Sequence, residues 1–343
     1  MVFSRRRLLR TTGGLGLGAF THAALAGRSL VNPQAAEATM SLNMQLDWKF
    51  NVQFAGLMLA AAAGLYTEKG LAVELMPWES GLVVTDAVIE NPMTLGCAEQ
   101  NLILDAQAAG APIRAIATMF QASPLALMAL PDSGITRLRD LVDQKVGVHA
   151  DGLAVMALVQ GVSGLEENAI AVTEIPYEAK AERLLSGEYA AIQCYAIDEP
   201  IGFAAETGIE PVVISLNDYG YEAYAQVIFA HAELLANTPM LVQDFLTATF
   251  AGWRLALADI PAAAERVVST YVEADSPYAD LDYQTQSLAL IADYLLLDIE
   301  PSQLGSISPG RWMRMARRFA DYRLIAQVPE LTHSLALSSW TER

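Results

Sequence analysis

Seven positions, 48–54, hold two aromatic and two amide residues whose types suit ligand recognition: Trp48, Asn51, Gln53 and Phe54, with Phe50 between them. An indole and a phenyl ring can stack on a flat ligand, and side-chain amides offer both donors and acceptors to a ring edge. Further along stand Glu79, Gln100, Gln121, Ser123, Asp151, Gly152, Tyr195, Glu199 and Tyr219, which add carboxylates, hydroxyls and helix-start backbone. This set suits recognition. The four histidines, His22, His149, His231 and His333, have no metal-ligand spacing, and no nucleophile elbow, P-loop or dinucleotide fingerprint occurs. No catalytic residues, no metal and no cofactor are therefore expected.

Each candidate also has an ordinary reading. Trp48 is either a stacking platform or a core indole, and Phe54 either a second wall or the first core residue of its helix. Asn51 either reads a ring edge or caps a helix. Glu199 either accepts from a ligand amine or complements the dipole of the helix that Pro200 starts. Asp151-Gly152 either frame helix N–H groups for a polar ligand atom or form a plain N-cap. In the cluster Tyr195, Tyr219, Tyr221 and Tyr224, packing competes with ligand contact, and Tyr195 leads.

The elements that must position these residues alternate. Leu42, Met44 and Leu46 mark a strand ending near Asp47-Trp48. The Ala-rich run Phe54–Tyr66 predicts a helix, and Leu71, Val73 and Leu75 a second strand stopped by Pro77. Thr94–Ala98, Ile113–Phe120 and Leu125–Leu130 read as strands, with a helix over Asn101–Ala109 between the first two. After the turn Pro131–Gly134 the pattern restarts. Strands are expected at Lys145–Val148, Val172–Pro176, Ala191–Tyr195 and Val212–Ser215, and helices at Leu153–Gln160, Ala179–Leu185 and Pro200–Thr207. Asn217–Tyr224 is a second crossing, Val227–Ala230 a returning strand, and the remainder mostly helical. This order predicts two α/β lobes around a central cleft: residues 39–131 and 225–343 form lobe 1, and 132–224 form lobe 2. Ligands of open α/β sheets bind beyond the carboxyl ends of the strands, where all the candidate segments fall.

The first residues, Ser4-Arg5-Arg6-Arg7-Leu8-Leu9-Arg10, precede a short apolar run and Ala24-Leu25-Ala26, a basic, apolar and small-residue order that predicts an export signal of twin-arginine type within residues 1–38. Ala36-Glu37-Ala38 offers a second cleavage point. The implied partners are the Tat export machinery, and the implied location is the periplasm. Loss of the four arginines Arg5, Arg6, Arg7 and Arg10 from 21 basic residues leaves 17 against 39 acidic ones, a formal −22. Such a charge disfavours nucleic acid and anionic membranes and suits a freely diffusing monomer. Cys97 and Cys194 fall on different lobes, where a disulfide would lock the cleft, and are read as small buried residues.

The segment Leu46-Asp-Trp-Lys-Phe-Asn-Val-Gln-Phe-Ala-Gly56, followed by Gly64-Leu-Tyr66 and Gly70-Leu-Ala-Val73, resembles the opening of the NMT1/THI5-like (thiamine pyrimidine precursor) and sulfonate-type SsuA/TauA-like periplasmic binding proteins. The likeness continues through Ala109–Pro112, Phe120–Pro124, Asp132–Ile135, Asp140-Leu141, Lys145–Val148, Glu199-Pro200, Asp218–Gly220 and Asp244–Trp253. It implies a type II periplasmic-binding-protein fold, a small-molecule ligand and an ABC importer permease as partner. Phe50 replaces the usual Pro, and Phe54 stands where pyrimidine-binding relatives often have His. The related pyrimidine synthases also use a pyridoxal-phosphate lysine and a Cys-rich run. With Phe54 at the His position and no Cys cluster, a non-enzymatic role is expected. The motif positions supply aromatics, amides and carboxylates, one cation, Lys49, and no Arg. That chemistry favours a flat, neutral or weakly basic heterocycle such as the thiamine-precursor pyrimidine. A riboflavin-like ring, a sulfonate or nitrate, or a sensor role beside a membrane kinase are the alternatives.

Overall fold

A computed structural model describes residues 39–176 and 180–337. The expected export signal lies outside the described residues.

Among the described residues ten strands form two five-stranded sheets. The first joins β1 (Met40–Gln45), β2 (Leu71–Met76), β3 (Thr94–Ala98), β4 (Ile113–Phe120) and β10 (Ala225–His231) in the order β2-β1-β3-β10-β4. The second joins β5 (Leu125–Ala129), β6 (Lys145–Val148), β7 (Ala171–Glu174), β8 (Ala191–Tyr195) and β9 (Val212–Ser215) in the order β7-β6-β8-β5-β9. In each sheet four strands run in one direction and the fourth in order is antiparallel to both its neighbours. The sheets thus share one topology and exchange the antiparallel strand: β5 enters the second sheet before its other strands are made, and β10 returns to the first after them.

This exchange moves one predicted boundary. The sequence places Leu125–Ala129 in lobe 1, but it pairs with β8 and β9 in the second sheet. The first crossing is Gln121–Pro124, ahead of the Pro131–Gly134 turn. The second is 216–224, between β9 and β10. It is pinned by the amphipathic helix Pro309–Asp321, whose buried Trp312 stacks on Tyr224 at 6.5 Å.

The expected helix over Phe54–Tyr66 divides in three. Val52–Phe54 is a 3-10 turn, Ala55–Ala62 is α-helical, and Gly64 at φ 75° breaks the chain before Leu65–Glu68. Ala55–Ala60 is buried all round, as an all-apolar helix must be. It packs against Pro239–Ala258 so closely that a Cβ on Gly56 would lie 2.3 Å from the Trp253 indole, and one on Gly252 would lie 2.0 Å from the Gly56 carbonyl. That fit anchors the element carrying the Trp48–Phe54 motif. Among the described residues no helix is long and apolar enough to cross a membrane. Cys97 in β3 and Cys194 in β8 are buried free thiols on separate sheets.

Candidate functional site

The residues that follow β1, β2, β3, β6 and β8 line one cavity of about 740 Å³. Trp48, two residues past the neighbour of β1's end, stacks on Trp78 with ring centroids 5.2 Å apart and planes 19° from parallel. The two half-buried indoles make one flat wall. Trp48 Nε1 donates to the Tyr278 hydroxyl at 2.7 Å, which donates in turn to Asp198 Oδ2 at 3.2 Å. Tyr283 donates to the other oxygen of Asp198. One buried carboxylate on the second lobe therefore orients the aromatic wall of the first.

The floor is built of acids. Asp47 accepts Gln226 Nε2 on both oxygens, at 3.0 and 2.8 Å. Glu99 accepts the Tyr195 hydroxyl at 2.7 Å, a bond that crosses from β8 to the end of β3, and the Tyr221 hydroxyl at 3.4 Å. Burial pushes the Asp47 carboxyl up to about 7 and the Glu99 carboxyl up to about 8, with mutual repulsion adding to the Glu99 shift. Burial likewise raises Asp198, and its neighbour Glu199 adds to the effect.

On the second lobe the helix Ala150–Val162 begins at the cavity with His149 as N-cap and Asp151 inside its first turn. Gln193 bridges them: its Oε1 accepts the His149 N–H at 2.9 Å, and its Nε2 donates to Asp151 Oδ1 at 3.3 Å. A first-turn acid and a satisfied N-cap N–H leave this helix end poorly suited to an anion. Lys180 pairs with Glu199 Oε1, and Glu199 Oε2 accepts the Tyr195 N–H at 2.5 Å. Among the described residues of the lining there are seven carboxylates (Asp47, Asp86, Glu99, Asp105, Asp151, Asp198 and Glu199), one lysine and no arginine. No group of acids, histidines or cysteines there could hold a metal ion.

Of the residues singled out from sequence, Trp48, Gln53, Asp151, Tyr195 and Glu199 line the cavity. The others are placed elsewhere, each for a local reason. Asn51 caps the 3-10 turn, its Oδ1 accepting Gln53 N–H at 2.6 Å. Phe54 is fully buried in the core of the first lobe. Glu79 is exposed, one residue beyond the stacking Trp78. Gln100 turns inward to Trp312 O and Tyr224 N, so its neighbour Glu99 takes the cavity. Gln121 bonds Ser306 O, and Ser123 Oγ accepts Leu125 N–H and bonds the side chain of Glu99, without lining the cavity itself. Gly152 is covered by Gln193, whose Oε1 sits 2.0 Å from where a Cβ would be. Tyr219 is fixed to Leu138 N at 3.2 Å. The expected cation, Lys49, is exposed, and the cavity's lysine is Lys180. Trp78, Gln193 and Gln226 escaped the sequence reading. Trp78 alone carried a local signal, an aromatic directly after the Pro77 strand stop.

Glu199 is bound on both oxygens, so its removal acts on stability as well as on ligand. Glu199→Ala leaves the Lys180 side chain, 10% exposed, without its carboxylate and the Tyr195 N–H without its acceptor. With Glu199 partly open to solvent, the loss should be about 1–3 kcal/mol, seen as a lower urea midpoint at unchanged slope. An unchanged midpoint would mean that neither contact persists in solution.

The family described as NMT1/THI5 like matches residues 51–264. The riboflavin-binding protein RibY of Chloroflexus aurantiacus is 26% identical over 261 residues, 75% of this chain and 73% of that protein. The 4-amino-5-hydroxymethyl-2-methylpyrimidine phosphate synthase of Legionella pneumophila is 24% identical over 222 residues, 62% of this chain and 67% of the enzyme. Among solved structures, the periplasmic aliphatic sulphonate binding protein SsuA of Escherichia coli superposes with a TM-score of 0.67 at 14% identity, over 87% of this chain and 92% of that one. The two-lobed periplasmic-binding-protein fold expected from the sequence is the fold observed.

Proposed function

We propose that this chain, which belongs to the NMT1/THI5-like family, is the exported substrate-binding component of an ABC importer, and that its cleft closes on a small, flat, neutral or weakly basic heterocycle of the aminopyrimidine class. The observation that carries this reading is the lack of a free cation in the lining. Seven acidic side chains, three of them raised toward neutrality by burial, surround a single lysine that Glu199 already neutralises. A sulfonate, nitrate or phosphate would find neither a free lysine nor an arginine fork to receive it. A donor-bearing ring meets acceptors below and the Trp48–Trp78 wall beside it.

Closure follows from where the contacts sit. Trp48, Asp47 and Glu99 belong to the first lobe, Asp151, Tyr195 and Glu199 to the second, so a ligand that touches both stabilises the closed form. Export to the periplasm by the Tat route, a monomeric state and docking on a permease belong to the same reading. The role is binding rather than catalysis, because the lysine amine is held in an ion pair and a phenyl ring is buried where the enzymes of the superfamily place histidine.

The cavity volume supports a second ligand. A space of about 740 Å³ exceeds what one six-membered ring fills, and a flavin-sized ring system would occupy it more fully. The test is the melting temperature of mature protein from about Thr39, unfolded and refolded to strip carried ligand. The panel holds aminopyrimidines, thiamine, riboflavin, taurine, an alkanesulfonate and nitrate. A ligand at about a hundred times its dissociation constant adds some 2.7 kcal/mol, a shift of several degrees. A shift with a heterocycle is expected. A shift with sulfonate or nitrate alone would overturn the ligand class.

A further inference from the structure

Gln226 is held in a conformation that ordinary packing does not require. It lies inside β10, between Ala225 and Val227, which both pair with β4, yet its φ is +50°. A non-glycine residue in left-handed backbone is uncommon and costs free energy, and such residues cluster at ligand clamps. Its side chain is 1% exposed and lines the cavity. A glutamine amide normally presents a donor and an acceptor together. Here Nε2 is spent on both oxygens of Asp47, and Oε1 has no hydrogen-bond partner. A buried acceptor without a donor is costly, and its cost is relieved when a bound ligand supplies an N–H.

Beside it, Asp47 and Glu99 are also acceptors with lone pairs to spare. A carboxylate offers about four lone-pair sites. Asp47 receives the Gln226 amide and a weak Cys97 contact at 3.8 Å, and Glu99 receives two tyrosine hydroxyls and the Ser123 hydroxyl. The floor therefore places an unpartnered amide oxygen next to the side chains of Asp47 and Glu99 in one cavity lining.

We infer that Gln226 is the specificity-determining residue of the cleft, its side-chain carbonyl and the Asp47 carboxylate together reading an amidine-like edge, in which an exocyclic amine adjoins a protonated ring nitrogen. This rests on the proposed heterocycle-binding role and narrows it. A ring that carries a carbonyl in place of the amine points an acceptor at acceptors and is rejected. The strained φ holds the amide against Asp47 before the ligand arrives, so little ordering is left for the binding step.

The experiment is calorimetric titration of the purified, stripped full chain with 4-amino-2-methylpyrimidine, its equal-sized 4-oxo analogue, and riboflavin. The amino compound should bind at least about tenfold more tightly than the oxo compound. Gln226→Met, which keeps length and loses the acceptor, should erase that preference. Gln226→Asn tolerates left-handed backbone but falls short of the ligand, so it should erase the preference as well, and it serves if the Met variant does not fold. Equal affinity for the two pyrimidines, or a preference that survives both substitutions, overturns the role of Gln226 while leaving heterocycle binding in place. Tight riboflavin binding with neither pyrimidine bound also overturns it, because a flavin edge sets an N–H between two carbonyls. Binding of none of the three sinks both readings.

Discussion

The melting temperature of the ligand-free protein should fall as pH rises from 5 to 8. Asp47 and Glu99 ionise near 4 in an unfolded chain, but burial holds them protonated up to about 7 and about 8 in the folded one. Between those limits the folded state carries protons that the unfolded state has released. Their stabilising contribution is thus complete below about pH 4 and is lost as pH climbs through 7 to 8. One fully shifted carboxyl gives a slope of about 1.4 kcal/mol per pH unit. The slope of the pair should be on the order of 1 kcal/mol per unit or more, or roughly 2–4 °C. The double variant Asp47→Asn, Glu99→Gln should flatten the melting profile, measured by calorimetry at constant ionic strength. A wild-type profile that is already flat would mean that water reaches these carboxyls and that they titrate normally. A cationic ligand acts in the opposite sense, favouring the ionised forms, so saturating ligand should reduce the slope.

Trp48→Ala should have the largest effect on binding. The indole forms half of the stacked wall and is oriented by Tyr278 and, through it, by Asp198. Truncating a side chain that stacks on a base-like ring costs about 1–3 kcal/mol, so affinity should drop about 10- to 100-fold. Trp48→Phe keeps a ring and loses the bond to Tyr278, and should fall between wild type and Ala. An alanine variant that binds like wild type would show that the ligand lies away from this wall.

The architecture was legible because strand and turn signals are local. Ile113–Phe120, Lys145–Val148, Ala191–Tyr195 and Val212–Ser215 have the boundaries the sequence predicts. Which sheet a strand joins has no local signal, and Leu125–Ala129 was therefore assigned to the wrong lobe. The shared strand order of the two sheets has no counterpart as a sequence repeat, since topology constrains burial patterns and leaves residue identities free. At the site the errors are often of one residue. Trp78 rather than Glu79, and Glu99 rather than Gln100, line the cavity, because side-chain direction changes with every step where a strand gives way to a helix. Lys180 was missed because it reaches the cavity from a helix rather than a strand end. Gln226 was missed because a positive φ within a strand leaves no trace in residue type.

Tryptophan fluorescence of the stripped protein tests most directly whether the cleft stacks donor-bearing flat rings and offers anions no free cation. Trp48 and Trp78 both line the cavity, so a ring that joins their stack must alter their emission. Titration with an aminopyrimidine or riboflavin at pH 7 should give a saturable change that Trp48→Ala removes, and titration with an alkanesulfonate should give none. A saturable response to the sulfonate alone would contradict the claim and assign this acidic cleft to an anion.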